Sequence, residues 1–316
     1  MKKHVPKIYN REKDVYTAAK ERVKFIFERY PDEKIIVNFS GGKDSSIIMY
    51  LCIEYAREHN RKFNVLFVDQ ELEHDLTIQH MELIREKYKE FYLKFWWLCP
   101  QMFRKITFLD DRVIFVWGPD RMRDFPEGAY IHDMTNRAPK KNGLVKKIIK
   151  SFLAKERLTD CAFILGLRAN ESVRRYTAAT MGDAIEGIAW SRQGEGTRNV
   201  KFYPIYDWYD KDIWKYIGDN KLDYNRIYDM YYLKNLPISE MRSSSILNVH
   251  ALKKLNVIKE MDLDYYNRLH KRIGDIDIMV NKEVAEAMVK KAKLSKSRKL
   301  GKTKTLELWE RLKKEL

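Results

Sequence analysis

A short apolar run, Ile35-Ile36-Val37-Asn38-Phe39, ends in Ser40-Gly41-Gly42-Lys43-Asp44-Ser45-Ser46, and an apolar-rich helical pattern follows at once. Strand, tight turn and helix N-terminus in that order make a place for an anion. Two adjacent glycines let the backbone turn sharply and approach a ligand closely. The free N–H groups and the positive end of the next helix face the same spot, which favours phosphate. Lys43 adds a mobile charge, Ser40, Ser45 and Ser46 add hydroxyl donors, and Asp44 is a candidate Mg²⁺ ligand. Neither the Gly-x-x-x-x-Gly-Lys-Ser/Thr loop nor the Gly-x-Gly-x-x-Gly fingerprint is met. The plain alternative is a glycine turn that caps an ordinary helix, with Asp44 or Ser45 as N-cap.

Two more segments carry groups suited to the same chemistry. Asp69-Gln70-Glu71 follows the apolar run Phe63–Val68, so Asp69 is expected beside the nucleotide or its Mg²⁺, or else in an acidic helix-capping turn. Gly166-Leu167-Arg168-Ala169-Asn170-Glu171-Ser172-Val173-Arg174-Arg175 follows the run Cys161–Leu165. Arg168 and Arg174 can present guanidinium forks to phosphate or sulfate oxygens, with Ser172 as a donor between them. The alternative is a basic helix start with solvated arginines.

The elements that must position these residues are readable from apolar periodicity. Residues 12–29 form an amphipathic helix. Strands are expected at 34–39, 63–68, 91–97, 161–167 and 201–205, with helices after 43, at 74–89, at 144–157 and from about 211. Strand and helix alternating at this spacing imply an α/β fold: a doubly wound parallel five-stranded sheet with right-handed crossovers. Open parallel sheets bind ligands at the carboxyl ends of their strands, where all three segments fall. Residues 98–143, rich in aromatics, Pro, Gly and Asp, read as an insertion or lid, and 191–200 as a turn-rich loop. The expected organisation is an N-terminal helix over 1–33, a nucleotide-binding domain over 34–222 and a basic helical region over 223–316.

Ser40-Gly41-Gly42-Lys43-Asp44-Ser45 resembles the PP-loop, Ser-Gly-Gly-x-Asp-Ser, of the adenine-nucleotide alpha-hydrolase superfamily. Gly166-Leu167-Arg168…Glu171-Ser172…Arg175, Tyr203-Pro204-Ile205-Tyr206-Asp207-Trp208 and Asp212-Ile213-Trp214-Lys215-Tyr216-Ile217 are similar to segments of the PAPS reductase-like family. Val68–Glu71, Trp97-Leu98-Cys99-Pro100 and Trp117-Gly118-Pro119 look most like a branch of co-activator-type proteins from phages and mobile elements, often encoded beside a ParB-like partner. The resemblance implies an adenine nucleotide, ATP or PAPS-like, with Mg²⁺. It puts the phosphates on the PP-loop residues, and Gly166, Arg168, Ser172 and Arg174 around the anion. It implies α-phosphate chemistry, an adenylylation with pyrophosphate release. One departure is plain. Reductases of this family carry a late Glu-Cys-Gly-x-His segment, whereas the corresponding stretch here reads Ser239-Glu240-Met241-Arg242-Ser243-Ser244-Ser245.

The cysteines, Cys52, Cys99 and Cys161, are scattered, which argues against a disulfide framework, a zinc site or an iron–sulfur cluster. Thiol-based sulfonucleotide reduction would have to use Cys99 or Cys161. A nucleotide-sensing regulator without turnover is a further alternative. A net charge of +16 over 316 residues attracts polyanions. Residues 137–155 and 290–304 are basic and contain no acid, so nucleic acid is an expected partner there, a solvated surface being the alternative. No signal peptide and no membrane span are expected, which places the chain in the cytoplasm.

Overall fold

A computed structural model describes residues 13–106, 113–136, 144–180, 185–194, 198–243, 246, 252–274 and 276. The apolar runs become strands: β1 (Ile35–Asn38), β2 (Phe63–Val68), β3 (Tyr92–Lys105), β4 (Val113–Val116), β5 (Tyr130–Asp133), β6 (Ala162–Leu165), β7 (Ser191–Gln193) and β8 (Val200–Phe202). The helices are α1 (Val15–Arg29), α2 (Lys43–His59), α3 (Asp75–Lys87), α4 (Leu144–Lys155), α5 (Val173–Thr180), α6 (Asp210–Asp219), α7 (Ile227–Leu233), α8 (Leu252–Met261) and α9 (Leu263–Ile273).

The sheet order is β4-β3-β2-β1-β6-β8-β7, with β5 also on β3. The expected strands form its parallel centre, β3-β2-β1-β6-β8. Ile35, Ile36 and Val37 are wholly buried there, as a strand covered on both faces requires. From β1 the chain winds outward through β2 and β3, then returns to the other side of β1 with β6. The crevice between β1 and β6 is thus the topological switch point, where such sheets bind ligands.

The periphery differs from the sequence expectation. Residues 98–105 continue β3 rather than open a lid, and the described part of the insertion adds strands. β4 runs antiparallel to β3, and β5 runs parallel to it over Leu98–Gln101. Leu98, Cys99 and Met102 are buried, so core packing extends the strand past the point where aromatic and Pro content suggested irregularity. Likewise Ser191–Gln193 pairs antiparallel with β8 instead of forming a loop.

The first and last described helices pack onto this core. Arg22 of α1 makes a buried fork on Asp207, at 2.7 and 2.6 Å, and also donates to the Pro204 carbonyl. The Trp208 indole donates to the Val15 carbonyl. Tyr265, Tyr266 and Leu269 of α9 belong to the main core cluster. Among the described residues no helix is long and apolar enough to cross a membrane.

Candidate anion site at the switch point

Three glycines shape the site, each by a different contact. Gly41 has φ +70°, a conformation side chains avoid, and a Cβ there would meet Met81 Sδ at 3.0 Å. A Cβ on Gly166, which follows β6, would lie 2.5 Å from the Asp44 carbonyl carbon and oxygen. The exit of β6 therefore rests directly on the first turn of α2. A Cβ on Gly42, the N-cap of α2, would lie 2.5 Å from Ser243 Oγ.

The loop hydroxyls are part of its own scaffold. Ser45 Oγ and Ser46 Oγ donate back to the Gly42 carbonyl at 2.9 and 3.1 Å. The Ser40 amide donates to Ser45 Oγ at 3.2 Å. Ser46 Oγ also lies 3.2 Å from His80 Nε2. Burial pushes the His80 pKa down to about 4, with Asp223 opposing, so His80 is neutral.

Charge gathers around that first turn. Arg168, only 1% exposed, donates Nε to Asp44 at 2.7 Å and Nη2 to Asp210 at 2.8 Å. Burial opposes its charge, but Asp44, Asp210 and Glu171 outweigh this and hold its pKa above the ordinary value. Lys43 was expected to be mobile and is instead buried. Its amine donates to the Met241 carbonyl at 3.2 Å and lies 3.3 Å from Asp210 and 3.6 Å from Asp44. The reason is packing from the C-terminal helices, which close over the side chain. Asp44 and Asp210 keep 14% and 28% of their side chains exposed, so this cluster still opens to solvent.

The C-terminal region, expected to be basic and helical, supplies one wall. The Asn225 amide donates to the Gly41 carbonyl at 3.0 Å and to Thr77 Oγ1. Tyr228 OH accepts from the Lys43 amide at 3.0 Å, taking one of the free N–H groups of the helix start. Arg242 donates to the Glu171 carbonyl at 3.1 Å, and Lys254 donates to the Arg242 carbonyl. Asp210, Asn225, Tyr228, Ser243 and Lys254 were not singled out from the sequence. Asn225 and Tyr228 lie in the Asn-Arg-Ile-Tyr-Asp stretch, whose position after α6 was the available signal.

Two other expected site residues serve the scaffold. Ser172 Oγ accepts from the Arg175 amide, capping α5. Asp69 is fully buried and its carboxylate is consumed: Oδ1 accepts from the Glu71 amide at 2.9 Å, and Oδ2 accepts from the Trp97 indole at 2.7 Å and from Arg123. A metal ion there would have to displace those donors, so Asp69 is not retained as a ligand. Arg174 lies in α5, and its side chain falls outside the described residues. Ser244, Ser245, residues 137–143 and residues 290–304 also lie outside them. The cysteines are buried, and burial raises the pKa of each thiol. That is the opposite of what a thiolate nucleophile needs. Among the described residues no three His, Cys, Asp or Glu side chains are grouped to hold a metal ion.

Comparison with known proteins gives the geometry a context. The phosphoadenosine phosphosulfate reductase domain matches residues 34–281. The protein YbdN of Escherichia coli (strain K12) is 28% identical over 244 residues, 72% of this chain, and the chain spans only 58% of the length of YbdN. Adenosine 5'-phosphosulfate reductase 1 of Bacillus subtilis (strain 168) is 22% identical over 228 residues, covering 72% of this chain and 81% of that protein. Among solved structures, the phosphoadenylyl-sulfate reductase of Candida auris in its phosphate complex is 10% identical with a TM-score of 0.40, covering 67% of this chain and 84% of that one.

Proposed function

This chain belongs to the phosphoadenosine phosphosulfate reductase domain family, and from that premise we propose that its switch-point site binds an adenine nucleotide, ATP or PAPS-like, for chemistry at the α phosphate. The observation that carries the reading is the start of α2. Gly41, Gly42 and Gly166 bring bare backbone together there, beside the Lys43–Arg168–Asp44–Asp210 cluster. Phosphate oxygens would take the loop amides and recruit Arg168 and Lys43 from their carboxylate partners. With ATP bound, an oxygen or nitrogen nucleophile of an anionic or nucleic-acid acceptor attacks the α phosphorus, and pyrophosphate leaves. The chain contributes in-line positioning and charge neutralisation, not a covalent step.

Mg²⁺ binds through one or two carboxylates plus substrate phosphates. Asp44 and Asp210 fit that donor set, because both are hard, partly exposed oxygen ligands meeting at Arg168. The ion would supply neutralisation of polyphosphate charge when bound. Displaced from Arg168, those carboxylates would face the ion while the guanidinium turned to phosphate.

The test is nucleotide affinity in Gly42→Val. The branched side chain should abolish binding by filling the approach to the loop amides. A folded variant with wild-type affinity overturns the reading. Pyrophosphate release then separates an enzyme from a nucleotide-sensing regulator, which would bind without releasing it.

Nucleic acid remains our proposed polyanionic partner, contacted through 137–155 and 290–304. Support comes from α4, which buries Ile148, Phe152 and Leu153 and turns Lys146, Lys150 and Lys155 outward. Phosphate contacts release counterions, so binding should weaken steeply with salt. Failure of single- and double-stranded DNA and RNA to bind at low salt removes this partner. A ParB-like protein partner, proposed from the branch resemblance, is tested by co-purification of the two expressed together.

A further inference from the structure

A cleft lies beside the loop, and the nucleotide reading leaves it unused. Glu73, His74, Tyr231, Ser243, Lys254 and Tyr265 line it, over an apolar floor. Ser243 is the wall between this cleft and Gly42, as its contact with the Gly42 Cβ position shows. At about 20 Å³ the cleft has room for a water-sized group and not for a nucleotide. Two of its polar groups, Lys254 and His74, are buried. Lys254 is 5% exposed, its amine 5.0 Å from the Tyr231 ring centre and hydrogen-bonded to the carbonyl of Arg242, the neighbour of Ser243. His74 is also 5% exposed, and its Nε2 makes no hydrogen bond, with Asp262 Oδ2 at 3.4 Å.

We propose that this cleft is the acceptor subsite of the α-phosphate reaction and that Lys254 takes the proton from the acceptor's nucleophile. The reacting group it fits is water-sized: a single protic hydroxyl or amine of the acceptor, or water itself. The proposal rests on the nucleotide reading above. The nucleophile's lone pair forms a bond to the α phosphorus and the bond from that phosphorus to the pyrophosphate oxygen breaks. Pyrophosphate leaves, and the nucleophile's proton goes to the neutral Nζ of Lys254. The surroundings of Lys254 suit that task. Burial disfavours its charge most, Arg242 and Lys43 add repulsion, Glu240 opposes, and the pKa is pushed down to about 7. A base poised near the working pH is the effective kind. Burial and then Asp69 push Glu73, also on the lining, up to about 7, against Arg123 and Arg104.

Water is the simplest protic acceptor, so the experiment follows AMP and pyrophosphate formation from ATP and Mg²⁺ by the full chain across pH. Affinity for a non-hydrolysable ATP analogue is measured alongside. The wild-type rate should rise as pH passes through about 7. Lys254→Met should lower kcat by about 100-fold or more and remove that limb, with analogue affinity changed less than about 3-fold. Lys254→Arg keeps a cation that cannot give up its proton, so it should not restore the rate, and it serves if the Met variant does not fold. A Lys254 variant with wild-type rate and pH limb overturns the proposal. So does a wild-type protein that binds the analogue yet forms no AMP, an outcome that leaves the nucleotide reading standing. Absence of analogue binding overturns both.

Discussion

Two regions at the carboxyl edge of one sheet combine acids with arginines, and they do opposite things. At the end of β2, Asp69 and Glu71 are wholly buried. Glu71, at φ 74°, accepts from the amides of Trp117 and Met122 at 2.5 and 2.9 Å and from Arg272 of α9 at 2.6 Å. Arg272 goes on to Asp120 and to the Phe115 carbonyl. Glu71 spends both carboxylate oxygens on joining the insertion and α9 to the sheet, and Asp69 spends its own on the turn, β3 and Arg123. Between β1 and β6 the carboxylates meet Arg168 in a cluster that stays partly open, beside backbone that three glycines leave bare. Position at the ligand edge is therefore not enough. A ligand site needs donors that a ligand can compete for, and the β2 end has none to offer cheaply.

Breaking the β2-end network should have the largest effect, and it should appear in stability. Glu71→Ala strips Arg272 of its buried carboxylate and leaves it the exposed Asp120 as ion partner; breaking a buried pair typically costs about 3–5 kcal/mol. Chemical denaturation should show that loss while nucleotide affinity of the surviving folded protein stays near wild type. A large affinity change at full stability would erase the distinction between the regions.

Arg168→Ala probes the other side. Losing one charge-assisted pair to phosphate costs about 1.5–3 kcal/mol, roughly ten-fold or more in nucleotide affinity. The folded protein should lose less, because Asp44 and Asp210 remain partly solvated. Calorimetric titration with the nucleotide checks it, and unchanged affinity would remove Arg168 from the site.

His80 ties the loop scaffold to acid. Buried and neutral, it is held down to about 4 from its ordinary 6.5. The unfolded chain therefore binds the extra proton first as pH falls through that window, and stability drops, by about 2 kcal/mol at pH 5. Glu73, raised to about 7 from 4.5, works in the other direction, losing stability as pH rises between those values. His80→Gln should flatten only the acid limb of a stability-against-pH curve. An unchanged limb would show that His80 is not the group responsible.

The smallest effect is expected at the thiols. Cys52, Cys99 and Cys161 are buried with raised pKa values, so a folded triple Cys→Ser protein should keep nucleotide binding and any turnover. Loss of turnover that Cys99 alone restores would revive sulfonucleotide reduction.

Local pattern made the parallel centre and the loop legible. Apolar runs closed by glycine turns announced β1 and β6, an apolar run closed by Asp69 announced β2, and the Gly41–Gly42 pair announced a close backbone approach. Arg168 was legible because it follows β6 directly. The extra strands were not, since β4, β5 and β7 are short edge pieces whose pairing depends on a partner already in place. Asp69 misled for a related reason: its burial under Trp97 and Arg123 is decided by residues 28 and 54 positions away.

From its sequence alone this protein's family, its α/β winding and its glycine loop follow, because each is encoded in contiguous residues whose type sets the local backbone. What closes that loop was decided by tertiary structure. Tyr228 reaches the Lys43 amide across 185 residues and Met241 reaches the Lys43 amine across 198. Such contacts carry no local signature, since any polar group delivered by the packing of α7 and α8 would satisfy the same donors.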